Sequence, residues 1–206
     1  SNMQTSAKFA REKLTKIFTE KKEVIDIGGG LRISKTRGNR YDPSCKWLEA
    51  LAEQVSYKIL DPVADFSPDL IGDIHHLPLK DESVPAIICM SVLEHVEDPH
   101  KAARELYRVL EKGGYAFIYV PFLYYYHAEP GYYKDYWRFT HDALELLFKD
   151  FSHMEIYAVE GPLTTLCKLP PLGRFSLIKS VTRSLDGIFY KKGSAQVSGH
   201  NVFLIK

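Results

Sequence analysis

The sequence predicts an α/β domain built on a mainly parallel sheet. Short β-rich runs alternate with stretches of helical periodicity along the chain. The run "AIICMS" (86–91) is almost wholly apolar, as in a strand covered on both faces. The run "VIDIGGG" (24–30) stops at three glycines, as a strand does when it ends in a tight turn beside a ligand.

Residues 5–20 read as a helix, with Ala7, Ala10, Leu14, Ile17 and Phe18 at helical spacing among Lys and Glu. "EVIDI" (23–27) is the first strand. Residues 31–43 are polar and basic without periodicity and read as a loop. Ser44 is placed to cap a helix whose apolar face is Trp47, Leu48, Leu51 and Val55. "YKIL" (57–60) is a second strand, closed by Asp61-Pro62, and a brief strand follows at Leu70-Ile71. After the 86–91 strand, Asp98 and Pro99 mark the start of a helix, and Ala102, Leu106, Val109 and Leu110 form its apolar face. Gly113-Gly114 is read as its end. "YAFIYVP" (115–121) is the next strand, and Thr140 caps a helix through Leu144, Leu147, Phe148 and Phe151. "MEIYAVE" (154–160) and "NVFLIK" (201–206) close the pattern. Residues 162–195 read as an insertion between these two strands, helical around 175–190, within a single domain spanning 3–206.

The chain has 206 residues, enough for one substantial core. Its 27 Lys plus Arg against 26 Asp plus Glu leave no broad basic surface for wrapping nucleic acid. Cys45, Cys89 and Cys167 are few and widely spaced, as for reduced thiols of a cytoplasmic protein. No apolar run reaches the roughly 18 residues of a membrane span, and no signal peptide is expected. Ser1-Asn2 ahead of Met3 reads as a tag remnant. The segment 172–192, with Arg174, Lys179, Arg183, Lys191 and Lys192 among apolar residues, reads as an amphipathic cap or a homodimer contact rather than a membrane-surface element or a cover over the acceptor.

The residues standing at the strand ends carry the chemistry. A dinucleotide fingerprint wants glycines at 28, 30 and 33, and Ile33 takes the third place. Asp61 ends the second strand, where a carboxylate can accept two hydrogen bonds from a ribose diol, and it suits a dinucleotide equally well. Asp73, one strand later in "GDIHHLP", tips the balance. It can accept a hydrogen bond from an adenine amino group, with Ile74 covering the base. A single adenosine lying across three strand ends needs both acids.

Here the sequence resembles a known family. "VIDIGGG", "LDP" and "GDIHHLPLKDESVPAIICMSVLEHVEDPHKAARELYRVLEKGGYAFIYVPF" are similar to class I S-adenosylmethionine-dependent methyltransferases of the type 11 group, and "HNVFLIK" is similar to their closing strand. The resemblance implies a Rossmann-like, doubly wound seven-stranded sheet whose last strand is antiparallel, and S-adenosyl-L-methionine as cofactor. It implies that Asp26, Gly28, Gly29 and Gly30 lie by the methionine part, Asp61 by the ribose, and Asp73 with Ile74 by the adenine. Ser91, at the fourth strand end, joins the cofactor side. Two positions depart from the family pattern: Arg32 stands where glycine is usual, and Pro85 where Asp is common.

On the acceptor side, His95 is the first candidate base and His127 the second, because a neutral imidazole accepts a proton from an attacking hydroxyl or amine. Glu94, grouped with the substrate-binding residues, is placed to orient His95 or to touch the donor. Tyr132, Asp135, Tyr136 and Arg138 mix aromatic faces with a fork-shaped cation, which suits a sugar or an anionic acceptor, or else forms a structural ion pair. The eight histidines show no metal-binding spacing, so no metal is expected. The expected activity is methyl transfer to an oxygen or nitrogen of a small-molecule or glycan-type acceptor. The rivals are a binding module that kept the fold without the chemistry and an NAD-dependent oxidoreductase.

Overall fold

The computed structural model describes residues 5–33, 41–168, 176–190 and 194–206. Residues 1–4 (which include the Ser1-Asn2 pair), most of the 31–43 loop, and Arg174, Lys191 and Lys192 lie outside the described residues.

Seven strands form one sheet: β1 (Glu23–Ile27), β2 (Ser56–Asp61), β3 (Leu70–Ile71), β4 (Val84–Met90), β5 (Leu110–Pro121), β6 (His153–Val159) and β7 (Gly199–Ile205). Their order is β3-β2-β1-β4-β5-β7-β6, and β7 runs antiparallel to both its neighbours while the others are parallel. The helices are α1 (Ser6–Glu20), α2 (Glu49–Ala52), α3 (Pro99–Val109), α4 (His141–Leu147), α5 (Pro162–Lys168) and α6 (Ser176–Phe189). This is the doubly wound architecture that the sequence implied.

The side-chain alternation of each strand feeds two cores. Ile25, Ile27, Ile87, Cys89 and Ile118 point to one face, under Ala102, Leu106 and Val109 of α3 and Leu144 of α4. Val24, Ala86, Ile88, Phe117 and Phe203 point to the other, under Phe9, Leu14, Ile17 and Phe18 of α1. Strands covered on both sides account for the unbroken apolar run of β4.

Local capping explains most boundaries. The Thr5 hydroxyl accepts from the Lys8 amide (3.2 Å), Asp98 from Lys101 (2.9 Å) and Thr140 from Ala143 (3.2 Å), so α1, α3 and α4 begin at their N-caps. Two expectations need correction. The cap near residue 44 is Asp42, whose carboxylate accepts from the Ser44 amide (2.9 Å), and Pro43 opens a 3₁₀ turn over Pro43–Leu48 that leads into α2. The pair Gly113-Gly114 does not end α3. The helix stops at Val109 because Leu110 already pairs with Val84 in the sheet, and the glycines lie in an excursion of β5 before Tyr115 pairs with Ala86. Pro85 sits at that register shift, where a strand can spare an amide donor.

β7 also holds a buried imidazole. His200 is 4% exposed, and its Nδ1 has no hydrogen-bond partner among the described residues. Burial, assisted by the charge of His141, lowers its pKa from 6.5 to about 4. The unfolded chain therefore binds the proton more readily between these values. The stability contributed by the neutral ring is fully present above about pH 6.5 and is lost as pH falls towards 4. A loss of about 2 kcal/mol is expected between pH 7 and pH 5. Urea unfolding at the two pH values checks it, and His200→Gln should flatten that interval.

Candidate functional site

The carboxyl ends of β1, β2, β3, β4 and β5 fall along one edge, and the sheet order reverses between β1 and β4. In such sheets a ligand crevice opens at that edge. A cavity of ≈ 1640 Å³ lies there. It exceeds the roughly 300–1,000 Å³ of an ordinary ligand pocket, so it has room for two molecules side by side.

The glycine turn forms its floor. The Gly28 amide donates to Leu60 O (2.8 Å), extending the β1–β2 ladder by one step. Gly28 (φ 78°) and Gly29 (φ 60°) take the left-handed backbone that favours glycine. A side chain on Gly28 would strike Val92, and one on Gly30 would meet Met90 Cβ at 2.6 Å. These glycines let the turn lie against the end of β4, as well as baring backbone to the cavity. Arg32 also takes a left-handed φ of 52°, so it keeps the conformation usual for glycine. Neither departure from the family pattern, Arg32 or Pro85, distorts the frame.

Asp26 stands beneath the turn rather than at the cavity wall. It is fully buried; its carboxylate accepts from the Gly30 amide (3.1 Å), the Leu31 amide (3.2 Å) and the Tyr57 hydroxyl (2.5 Å). Of the residues that the family resemblance implies lie by the methionine part, Gly28 and Gly30 line the cavity and Asp26 and Gly29 do not. Tyr57, which completes the Asp26 cradle, went unread. Its signal is period two: Asp26 and Tyr57 point to the same face of adjacent strands.

Asp61 and Asp73 both line the cavity, from consecutive strand ends. Asp61 is buried and accepts from the Val63 amide (2.9 Å) through one oxygen. Asp73 accepts from the His75 amide (2.8 Å) and meets the His75 ring (2.7 Å). Burial pushes the Asp73 carboxyl up, but these His75 contacts outweigh it and hold the pKa below its ordinary value. Ile74 is buried beside it, and Ser91, at a left-handed φ of 55°, lines the cavity from the end of β4.

Beyond Ser91 the cavity becomes aromatic and acidic. Glu94 and His95 lie in a 3₁₀ turn after β4, and His127 lies in the segment after β5. His95 Nε2 stands 3.8 Å and His127 Nε2 3.6 Å from Glu94 Oε1. At those distances the contacts are electrostatic rather than hydrogen-bonded. Glu94 is the main influence raising the His127 pKa, against the opposing effect of burial. Tyr132 stacks on Phe66 (5.1 Å between centroids), and the Tyr136 hydroxyl donates to Glu97 (3.1 Å), so both tie the post-β5 segment across the cavity.

Asp135 and Arg138 do not line the cavity. Arg138 meets Asp135 through two guanidinium nitrogens (2.6 and 2.7 Å) and also donates to the carbonyls of Tyr124 (3.2 Å) and Tyr125 (2.8 Å). Of the two readings of this pair, acceptor contact or structural ion pair, these contacts are those of the ion pair. The fork is spent on the loop itself.

Comparison with known proteins agrees with this geometry. Residues 31–118 match the family described as a methyltransferase domain. The strand order with its antiparallel β7 is the fold of class I S-adenosylmethionine-dependent methyltransferases, and the matched segment is similar to their domain. The domain superposes on a SAM-dependent methyltransferase from Archaeoglobus fulgidus with a TM-score of 0.60 at 16% identity, covering 97% of this chain and 92% of that one. A SAM-dependent methyltransferase from Methanosarcina mazei superposes with a TM-score of 0.54 at 14% identity, over 94% and 96% of the two chains. An uncharacterized 37.1 kDa protein of a Streptomyces fradiae transposon is 50% identical over 44 residues, which span 21% of this chain and 13% of that protein. Among the described residues, no helix is long and apolar enough to cross a membrane.

Proposed function

We propose that the domain binds S-adenosyl-L-methionine along the ends of β1, β2 and β3 and methylates an oxygen or nitrogen of a small-molecule or glycan-type acceptor held by the aromatic lobe. The observation carrying this reading is that Asp61 and Asp73 face one cavity, which continues without interruption to Glu94, His95 and His127. The residues fit the donor. Asp61 takes the ribose hydroxyls, Asp73 the adenine amino group, Ile74 covers the base, and Gly28 and Gly30 leave room for the methionine part. When bound, the donor supplies an electrophilic methyl on its sulfonium.

The chain's contribution is placement. Holding a nucleophile about 3–3.5 Å from its target, in line, removes ≈ 7–11 kcal/mol of barrier. His95 and His127 stand where that nucleophile must approach, and either Nε2 can accept its proton. Tyr132 and Tyr136 shape the lobe. With Arg138 spent on Asp135, Glu94, Glu97 and Glu129 remain among its lining. Carboxylates favour an acceptor bearing hydroxyl or amine groups over an anionic one.

Calorimetry with S-adenosylhomocysteine tests the reading. The wild-type chain should bind it, and Asp61→Ala should weaken binding about 10- to 100-fold, the cost of one or two hydrogen bonds to a charged group. A folded wild-type chain that binds neither S-adenosylhomocysteine nor S-adenosylmethionine overturns the proposal.

A further inference from the structure

Glu94 is an unusual carboxylate. It is fully buried, and neither of its oxygens accepts a hydrogen bond from a described residue. A buried carboxylate with no hydrogen-bond donor on it is costly, so it calls for a partner. Two imidazoles face it. His95 directs Nδ1 at the carbonyl of Lys134 (2.6 Å), and His127 directs Nδ1 at the carbonyl of Tyr125 (3.1 Å). A carbonyl can only accept, so Nδ1 carries the proton in both rings. Each Nε2 then presents a lone pair. Both point towards Glu94 Oε1, at 3.8 Å and 3.6 Å. Two lone pairs and a carboxylate converge on one point, and the ligating atoms all lie within 4.8 Å of one another.

We propose that Glu94, His95 and His127 form a divalent-cation site, with two imidazole nitrogens and one carboxylate on one face of the ion and its remaining positions open to the acceptor lobe. Metal–ligand bonds of about 2.0–2.2 Å require such atoms to stand roughly 3.0–3.5 Å apart, a small side-chain movement from the present arrangement. The donor set selects the ion class. Imidazole suits zinc, iron, cobalt or nickel and disfavours magnesium or calcium, which prefer oxygen ligands. The support around the rings is what metal-binding histidines use: a backbone carbonyl on each Nδ1, with Asp135 Oδ2 a further 3.3 Å from that of His127. An acceptor hydroxyl is the ligand the open positions would take, held next to the donor methyl. That last assignment rests on the methyl-transfer reading; the cation site does not. The rival occupant is a proton shared between His127 and Glu94, which leaves the imidazoles as bases.

The test uses the full chain, stripped with a chelator, dialysed and titrated with cobalt(II) chloride. One cobalt per chain is expected, with visible d–d absorption. Glu94→Gln, His95→Asn and His127→Ala should each weaken binding at least tenfold. Circular dichroism and S-adenosylhomocysteine calorimetry on the same variants check that fold and donor site persist. Absence of stoichiometric cobalt binding by the wild-type chain, or binding unchanged in folded His95→Asn and His127→Ala, overturns the site. Cobalt binding together with no affinity for S-adenosylhomocysteine overturns the methyl-transfer reading and leaves the cation site standing.

Discussion

Asp26→Ala is expected to cost about 4–6 kcal/mol of folding stability and to abolish donor binding in whatever chain remains folded. The carboxylate is fully buried and, among the described residues, collects the amides of Gly30 and Leu31 and the hydroxyl of Tyr57. Removing it strands all three in a closed space, and each unsatisfied buried donor costs about 1–3 kcal/mol. The consequence is directional. Gly30 and Leu31 belong to the turn that floors the cavity, and the close approach of Gly30 to Met90 holds only while that turn stays closed. Asp26→Asn separates charge from shape. It keeps one acceptor oxygen and turns the other into a donor facing groups that donate, so it should fall between wild type and Asp26→Ala. Urea unfolding of the three proteins, followed by S-adenosylhomocysteine calorimetry below the transition, checks the order. A stable Asp26→Ala chain with unaltered donor affinity would mean that the turn holds itself without the carboxylate.

The role of Asp26 marks where the sequence stops being informative. Period and capping are local signals, so β1, α3, α4 and the glycine stop were legible from short windows. The same windows misplaced the end of α3, because a long-range pairing, Leu110 with Val84, draws the chain into the sheet before Gly113. The family resemblance implies Asp26 beside the methionine part, and in the fold its carboxylate holds amides of its own turn. A carboxylate at a strand end looks the same in sequence whether it faces a ligand or its own backbone. Only the packing of Tyr57 and the curl of the turn decide. The convergence of His127 on Glu94 is harder still to foresee. Metal-binding motifs are legible when ligands share one helix face or one turn. Here adjacency comes from the sheet: β4 and β5 are neighbours, so residues just past their ends meet although they are distant along the chain.

Asp135→Asn is expected to cost about 3 kcal/mol while leaving affinity for S-adenosylhomocysteine within a few-fold of wild type. The Asp135 side chain is fully buried and that of Arg138 is 25% exposed, so breaking this pair belongs at the low end of the roughly 3–5 kcal/mol seen for buried ion pairs. The guanidinium of Arg138 is the main reason the Asp135 carboxyl sits near pKa 2, helped by the His127 amide and opposed by burial. A folded-state value depressed below the ordinary 3.8 means that this stability is present at neutral pH and is lost as pH falls from about 4 towards 2. The discriminating comparison is the double variant Asp135→Asn/Arg138→Gln. If the pair serves the loop alone, each single change already destroys the interaction, and the double variant should be destabilised by clearly less than the sum of the two. If either residue instead gripped the acceptor, the singles would unfold at nearly wild-type urea concentrations and the costs would add. Strict additivity would therefore return Arg138 to the acceptor lobe and make an anionic acceptor the better reading. Marked non-additivity keeps it as the strut that holds the backbone of Tyr124 and Tyr125, and through Tyr125 the ring of His127, against the mouth of the cavity.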